Sequence, residues 1–265
     1  MDFVIVTIKS IINIFLTLLK SPIFYICLII YLLIKNYYPK FRGYMGEFWA
    51  KQELNKLSPK KYIIINDVMI YGKDNKTHQI DHIVVSKYGI FVIEMKNYYG
   101  KIVGDEYNKK WIQYLGRNKY YFNNPIHQNF GHIKVLEELL DIKSEKIIPI
   151  ICFSNQASLK IKAKSPIVQL DNLNKLIRNF TKEIISEPLD IITNKITESN
   201  IITKDIRKNH IKNIKIQLKE EKHLEKNGIC PKCHNCLIPK KGKYGTFIGY
   251  SNYPQCKYIK KLKKS

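Results

Sequence analysis

The sequence predicts an α/β protein, a mixed sheet flanked by helices, with a transmembrane helix before it and a small cysteine-bearing module after it. Three observations carry this expectation. Residues 79–96 hold two apolar, β-branched runs around Ser86-Lys87-Tyr88-Gly89, the pattern of a hairpin buried on both faces. Apolar residues recur at helical spacing on either side of it, over 46–57 and 124–140. Residues 1–38 are almost wholly apolar, while Cys230, Cys233, Cys236 and Cys256 gather near the other end.

In the N-terminal stretch only Asp2, Lys9, Lys20 and Lys35 carry charge, and 22–34 carries none. Extended to Tyr38, the run approaches the ~20 residues that a bilayer requires. One transmembrane helix is therefore expected at 21–38, with 11–19 either lengthening it or lying at the interface; a two-helix hairpin is also open. Lys35, Lys40, Arg42 and Lys51 follow the span, which sets the cytoplasm on that side. No small-residue cleavage site follows the run, which argues against a removed signal peptide. The expected location is the cell membrane, single-pass, with the remainder cytoplasmic.

Beyond the anchor, 46–57 reads as a helix closed by Pro59, with Glu47 in its first turn, where the helix dipole also favours a carboxylate. A strand at 62–70 and a polar turn at 71–77 lead into the hairpin. Gly100, Gly104 and Gly116 then punctuate short strands at 101–103, 110–115 and 119–122, with Trp111 as a core residue or a platform edge. The helix over 124–140 starts at Pro125, as helix starts favour, and His127 and His132 within it are expected at the surface or in packing. Strands at 146–154 and 167–170 and a helix at 172–180 follow. One or two helices are expected over 181–226. The expected divisions are an anchor at 1–42, a domain at 43–185, a helical linker at 186–226 and a module at 227–265. Cys27 and Cys152 read as small buried hydrophobes.

Inside the hairpin, Ile80, Val84, Phe91 and Ile93 take one face, and Ile83, Val85, Ile90 and Val92 the other. Asp81, Glu94 and Lys96 are the ionisable exceptions. Strand alternation puts Glu94 and Lys96 on one face. A two-residue loop at Lys87-Tyr88 would set Asp81 opposite Glu94; a bulge at Gly89 would slip the pairing by one. Two carboxylates and an amine in one small volume suit a hard divalent cation, Mg²⁺ or Mn²⁺, and the chemistry of phosphodiester hydrolysis. The same spacing also serves a buried ion cluster without catalysis. A formal charge of +23, from 45 Lys+Arg against 22 Asp+Glu, points to polyanionic partners or anionic lipid. Nothing in the sequence calls for a small organic cofactor.

Asp81 followed by Glu94-x-Lys96 resembles the PD-(D/E)xK nuclease superfamily, whose fold is restriction-endonuclease-like. The wider set is similar to its nuclease-related domain family, NERD: Gly43-Tyr44-Met45-Gly46-Glu47, Gln79-Ile80-Asp81-His82, Gly89 to Asn97, Trp111, and Asn124-Pro125-Ile126-His127-Gln128-Asn129. The resemblance implies Asp81, Glu94 and the Met95 carbonyl as metal ligands, Lys96 as catalytic lysine, and Glu47 and Gln128 as helpers on helices. The superfamily's proline is replaced by Ile80.

Cys230-Pro-Lys-Cys233 and the run from Lys241 to Cys256 resemble the four-cysteine zinc finger of type IA topoisomerases, a zinc-ribbon-like module. Where that family has its third cysteine this chain has Tyr250, a poor Zn²⁺ ligand. The implied set is Cys230, Cys233 and Cys256, with Cys236 or His234 open as a fourth. Lys243, Tyr244, Phe247, Tyr253 and Lys257 offer charge for phosphates and rings for stacking on single-stranded bases. The expected function is a membrane-anchored, metal-dependent nuclease that binds DNA. The other reading is a non-catalytic DNA-binding or tethering protein on the same fold.

Overall fold

The computed structural model describes Thr7, Asn13, Thr17, residues 20–73, 75–242 and 245–250, and Cys256. It divides into two compact units, Met1–Asn200 and Ile201–Ser265. The expected interfacial segment at 11–19 lies, apart from Asn13 and Thr17, outside the described residues.

The first unit opens with α1 (Pro22–Leu54), a single helix of 33 residues with proline in its first turn. Sequence spacing predicts two helices here, a span to Tyr38 and a separate one from Gly46. The structure joins them through Pro39. Proline holds φ in the helical range and forfeits one hydrogen bond, and contacts beyond it hold the helix on course. The Arg42 guanidinium donates to the Asn97 carbonyl (2.7 Å), while the Asn97 amide donates to the Arg42 carbonyl (2.6 Å). Among the described residues α1 is the one helix long and apolar enough to cross a membrane, and none of its apolar stretch is buried.

Strands β1 (Tyr62–Tyr71), β2 (Thr77–Ser86) and β3 (Gly89–Lys96) follow as an antiparallel meander. After β4 (Gly100–Asp105), β5 (Lys110–Leu115), β6 (Asn118–Asn123) and α2 (Pro125–Leu140), strand β7 (Ile147–Phe153) lies parallel to β3. Next come β8 (Ala157–Lys162), β9 (Ile167–Gln169), α3 (Leu173–Arg178) and α4 (Leu189–Glu198). A five-stranded mixed sheet runs β1-β2-β3-β7-β9, and a four-stranded one β6-β5-β4-β8. Strand β8 is an addition to the sequence expectation. It alternates Ala157, Leu159 and Ile161 with Ser158, Lys160 and Lys162, as a charged edge strand does.

The large sheet is covered on both faces. Ile83, Val85, Ile90 and Val92 pack with Ile133, Leu136 and Leu140 of α2 and with Ile192 and Ile196 of α4. Val84, Phe91, Ile93 and Met95 pack with Ala50 and Leu54 of α1 and with Leu173 and Ile177 of α3. Each such aliphatic side chain contributes about 1.5–3 kcal/mol on burial. Ile80 departs from simple alternation and joins the α2 face rather than the Val84 face. It lies beyond the last β2–β3 pair, opposite Val68 and next to Asp67, whose φ of +56° interrupts β1. Helix α4 belongs to this core, and the first compact unit runs to Asn200. A third cluster stacks Trp111 on Phe153 beside Ile102 and Ile126, so Trp111 is a core residue as expected. Cys152 is buried, whereas Cys27 is exposed on α1, against expectation, because that part of the helix is not buried among the described residues.

In the second unit, α5 (Lys204–Lys226) begins at Thr203, whose hydroxyl accepts the Ile206 N–H (3.2 Å). Strands β10 (Leu237–Gly242) and β11 (Gly245–Tyr250) pair as an antiparallel hairpin.

Two outcomes follow for this fold. A Cβ at Gly46 would stand 2.5 Å from the Asn97 Cβ and 3.5 Å from its Cα. Gly46→Ala should lower stability by about 1–3 kcal/mol in denaturant melts despite alanine's better helix propensity, because the neighbour is next to backbone. His82 is buried; its Nδ1 donates to Asn66 Oδ1 (2.7 Å) while Nε2 has no partner among the described residues. Burial brings its pKa down to about 4, against a smaller upward pull from Asp67. The unfolded chain takes up this proton near pH 6.5 and the folded one only near 4, so this contribution is complete above 6.5 and falls away as pH drops towards 4. In EDTA, wild type should lose up to about 3 kcal/mol more than His82→Gln between pH 7 and 4; equal losses would contradict the assignment.

Candidate active site and cysteine cluster

The site is assembled by hairpin register. The pairs Ser86↔Gly89, Val84↔Phe91 and His82↔Ile93 show a two-residue loop at Lys87-Tyr88 and no bulge. The Ser86 hydroxyl, accepting the Tyr88 N–H (3.2 Å) and donating to the Gly89 carbonyl (3.1 Å), stabilises a turn that Lys-Tyr alone would favour poorly. Gly89 has φ +140°, open to glycine. Continued one step past His82↔Ile93, that register sets Asp81 across from Glu94, and Asp81 Oδ2 accepts the Met95 N–H (2.9 Å). On β3, Glu94 and Lys96 share a face, and Lys96 Nζ donates to Glu94 Oε1 (2.6 Å).

Helix α2 closes one side. The buried Asn129 amide donates to the carbonyls of Val92 (2.9 Å) and Ile150 (3.3 Å), pinning the helix where β3 and β7 adjoin. The preceding residue, Gln128, then accepts from Lys96 Nζ through Oε1 (3.1 Å). One turn on, His132 Nε2 donates to Glu94 Oε2 (3.3 Å). His132 is 5% exposed, and its Nδ1 has no hydrogen-bond partner among the described residues. Sequence spacing assigns this histidine to surface or packing; the structure puts it against a site carboxylate. The available signal is its place four residues after Gln128, on the same helical face. His127 is exposed, with Nε2 2.8 Å from the Glu106 carbonyl. Glu47 reaches the site from α1, close enough for its charge to bear on Asp81.

Charge is unevenly shared here. Burial would raise Glu94, but the Lys96 ammonium and the His132 hydrogen bond outweigh it and hold the carboxylate down to about 2. Burial would likewise discharge Lys96; Glu94 and Asp81 reverse this and keep it an ammonium. Asp81 is pushed well above the usual carboxylate range, by burial first and by Glu94 second, with Lys96 opposing. One ammonium thus faces three acidic groups, and a further cation beside Asp81 would relieve the excess. The donors are hard oxygens, which fits Mg²⁺ or Mn²⁺.

In the second unit the sulfurs of Cys230, Cys233 and Cys256 lie within 4.8 Å of one another. Cys230 Sγ accepts the N–H groups of Lys232 (3.1 Å) and Cys233 (3.3 Å), the arrangement of a pre-shaped thiolate turn. Cys236 is exposed, bridges Ile229 through the backbone and stands outside the group. His234 occupies the tight turn between them at φ +57°. Three thiolates fit a soft metal such as Zn²⁺ but fall one short of a four-cysteine tetrahedron. Of the expected DNA-contacting residues, Lys243, Tyr244, Tyr253 and Lys257 lie outside the described residues, and Phe247 is described only in its backbone, on β11.

Two family models match the chain: the nuclease-related domain over residues 42–154 and the topoisomerase DNA-binding C4 zinc finger over 227–265. An uncharacterized protein of Bacillus anthracis is 37% identical over 184 residues, covering 68% of this chain and 86% of that protein. DNA topoisomerase 1 of Methanocaldococcus jannaschii is 53% identical over 47 residues, which is 18% of this chain and 6% of the enzyme. The enzyme of the same name from Helicobacter pylori strain J99 is 31% identical over 149 residues, half of this chain and 20% of the enzyme. The chain therefore spans only a small part of the topoisomerases it matches. No solved structure matches it. The match to the Bacillus anthracis protein over most of its length, together with the family model over the hairpin and its helices, makes this chain a member of the nuclease-related domain (NERD) family, with a topoisomerase-type C4 zinc-finger segment at its C-terminal end.

Proposed function

We propose that this chain is a membrane-anchored nuclease that hydrolyses phosphodiester bonds in DNA with a divalent cation. The observation that carries this reading is the convergence of Asp81, Glu94 and Lys96 at the open end of one hairpin. Asp81, Glu94 and the Met95 carbonyl would hold Mg²⁺ or Mn²⁺. When bound, such an ion polarises a phosphate oxygen and acidifies a coordinated water. The protein's own groups do the rest. Lys96, kept charged by its two carboxylate neighbours, neutralises charge developing on the phosphate. Gln128 holds the ammonium from the far side, and His132 fixes the second oxygen of Glu94. Glu47 stands ready to orient water. The apolar half of α1 would serve as the anchor, and the basic residues after it support a catalytic unit facing the cytoplasm. The C-terminal module would grip DNA, preferentially single-stranded, through its lysines and aromatic rings, around a zinc ion held by Cys230, Cys233 and Cys256.

In detergent, the full chain should nick plasmid DNA with Mg²⁺ or Mn²⁺ and not in EDTA. Asp81→Ala and Lys96→Ala should each reduce cleavage by about 10²-fold or more. Equal cleavage by wild type and variants would assign the activity to a contaminant. Wild type that binds DNA without cutting it would select the tethering alternative. For the module, elemental analysis should find less than one equivalent of zinc, released by a mild chelator, because the fourth position lacks cysteine. A full equivalent that resists chelation would overturn this.

A further inference from the structure

Helix α5 reads in the sequence only as a connection, and it lies in neither of the segments matched by the two family models. Its lysines are Lys204, Lys208, Lys212, Lys215, Lys219, Lys222 and Lys226, at intervals of 4, 4, 3, 4, 3 and 4 residues. At about 100° per residue all of them fall within an arc of roughly 80°, and at ~1.5 Å rise they form one row about 33 Å long. Every one is exposed. Among the described residues none shares an ion pair with a carboxylate, and Asp205, Glu220, Glu221 and Glu225 all lie off the row.

Like charges three and four residues apart repel along a helix, so this row works against the helix that carries it. General lysine richness would scatter such residues around the axis. A row that costs stability in isolation is relieved by a ligand of opposite charge and similar shape. A long, regularly charged strand has that shape. An anionic membrane fits less well. Apart from Ile216, its apolar residues Ile206, Ile211, Ile214, Leu218 and Leu224 fall within an arc of roughly 140°, but Arg207, His210, Gln217, Glu221 and Glu225 share that arc, leaving no continuous apolar face to insert beside the lysines.

We propose that the α5 lysine row is a polynucleotide-binding surface that contacts the phosphate backbone without regard to sequence. This rests on the reading that the chain acts on nucleic acid, and it adds a contact that neither the hairpin site nor the cysteine module supplies. Neutralising phosphates in this way releases counterions, so binding weakens steeply with salt.

The test uses the full chain in nanodiscs of zwitterionic phosphatidylcholine, in EDTA, with labelled single-stranded and duplex DNA of about 30 nucleotides, read by anisotropy across a KCl series. The row variant carries Lys208→Gln, Lys212→Gln, Lys215→Gln and Lys219→Gln; glutamine keeps helix propensity, which circular dichroism checks. A control variant removes the same charge elsewhere, through Lys60→Gln, Lys61→Gln, Lys73→Gln and Lys143→Gln, all exposed positions. The row variant should bind at least about 10-fold more weakly than the control at low salt. For duplex, the slope of log affinity against log salt should become shallower by about 0.9 for each phosphate that the substituted lysines neutralise in wild type. Equal binding by row variant and control would overturn the proposal. So would a row variant that keeps oligonucleotide binding but no longer associates with phosphatidylserine vesicles, which would assign the row to lipid. Failure of wild type to bind either oligonucleotide would remove the nucleic-acid reading itself, and the row's role with it.

Discussion

The β2–β3 register is the constraint on which the first unit depends. Side chains alternate along a strand, so a slip of one residue would carry Asp81 to the other face and bring apolar groups into its place. The register is held by a short turn and by apolar packing on both faces. The Ser86 hydroxyl ties off Lys87-Tyr88. The two hydrophobic clusters then penalise any slip, since each face of the hairpin is matched to different helices. The same burial that fixes the register makes the site electrostatically tense. Carboxylates set at the end of a dry sheet cannot all stay charged without a counter-charge.

That tension is distributed by geometry. Glu94 has both oxygens engaged, one by Lys96 and one by His132, and it remains ionised. Asp81 has a backbone N–H but no lysine of its own, and it takes up the repulsion. The helices matter because they bring single polar groups to this end of the sheet. Asn129 sets the depth of α2, and through it the reach of Gln128 and His132. Arg42, Gly46 and Asn97 do the same for α1; the Arg42 guanidinium also lies 4.3 Å over the Tyr99 ring. The helix that carries Glu47 is continuous with the apolar segment, so that segment and the site share one helix within this unit.

The second unit follows a different physical rule. Among its described residues the buried apolar cluster is small, and local order comes from hydrogen bonds around Cys230, a capped helix and a short hairpin. Such a module needs a metal or a ligand to gain stability, as small domains generally do. Its cysteine group supplies three of the four thiolates that a closed zinc site takes, and the lysine row of α5 supplies charge without a partner inside the described residues.

By itself the sequence determined the hairpin, the residues at its open end, the apolar segment and the family. Each of these is written in local period, in turn chemistry, or in a motif whose members lie close along the chain. The pair Asp81 and Glu94 was legible because strand alternation and one turn length suffice to relate them. Tertiary structure alone decided that His132 touches Glu94, that α1 runs unbroken through Pro39, that Ile80 turns to the α2 face and that α4 belongs to the first core. These depend on how separate elements lie against one another in space, where packing area and a few buried hydrogen bonds outweigh the local preferences that a sequence displays.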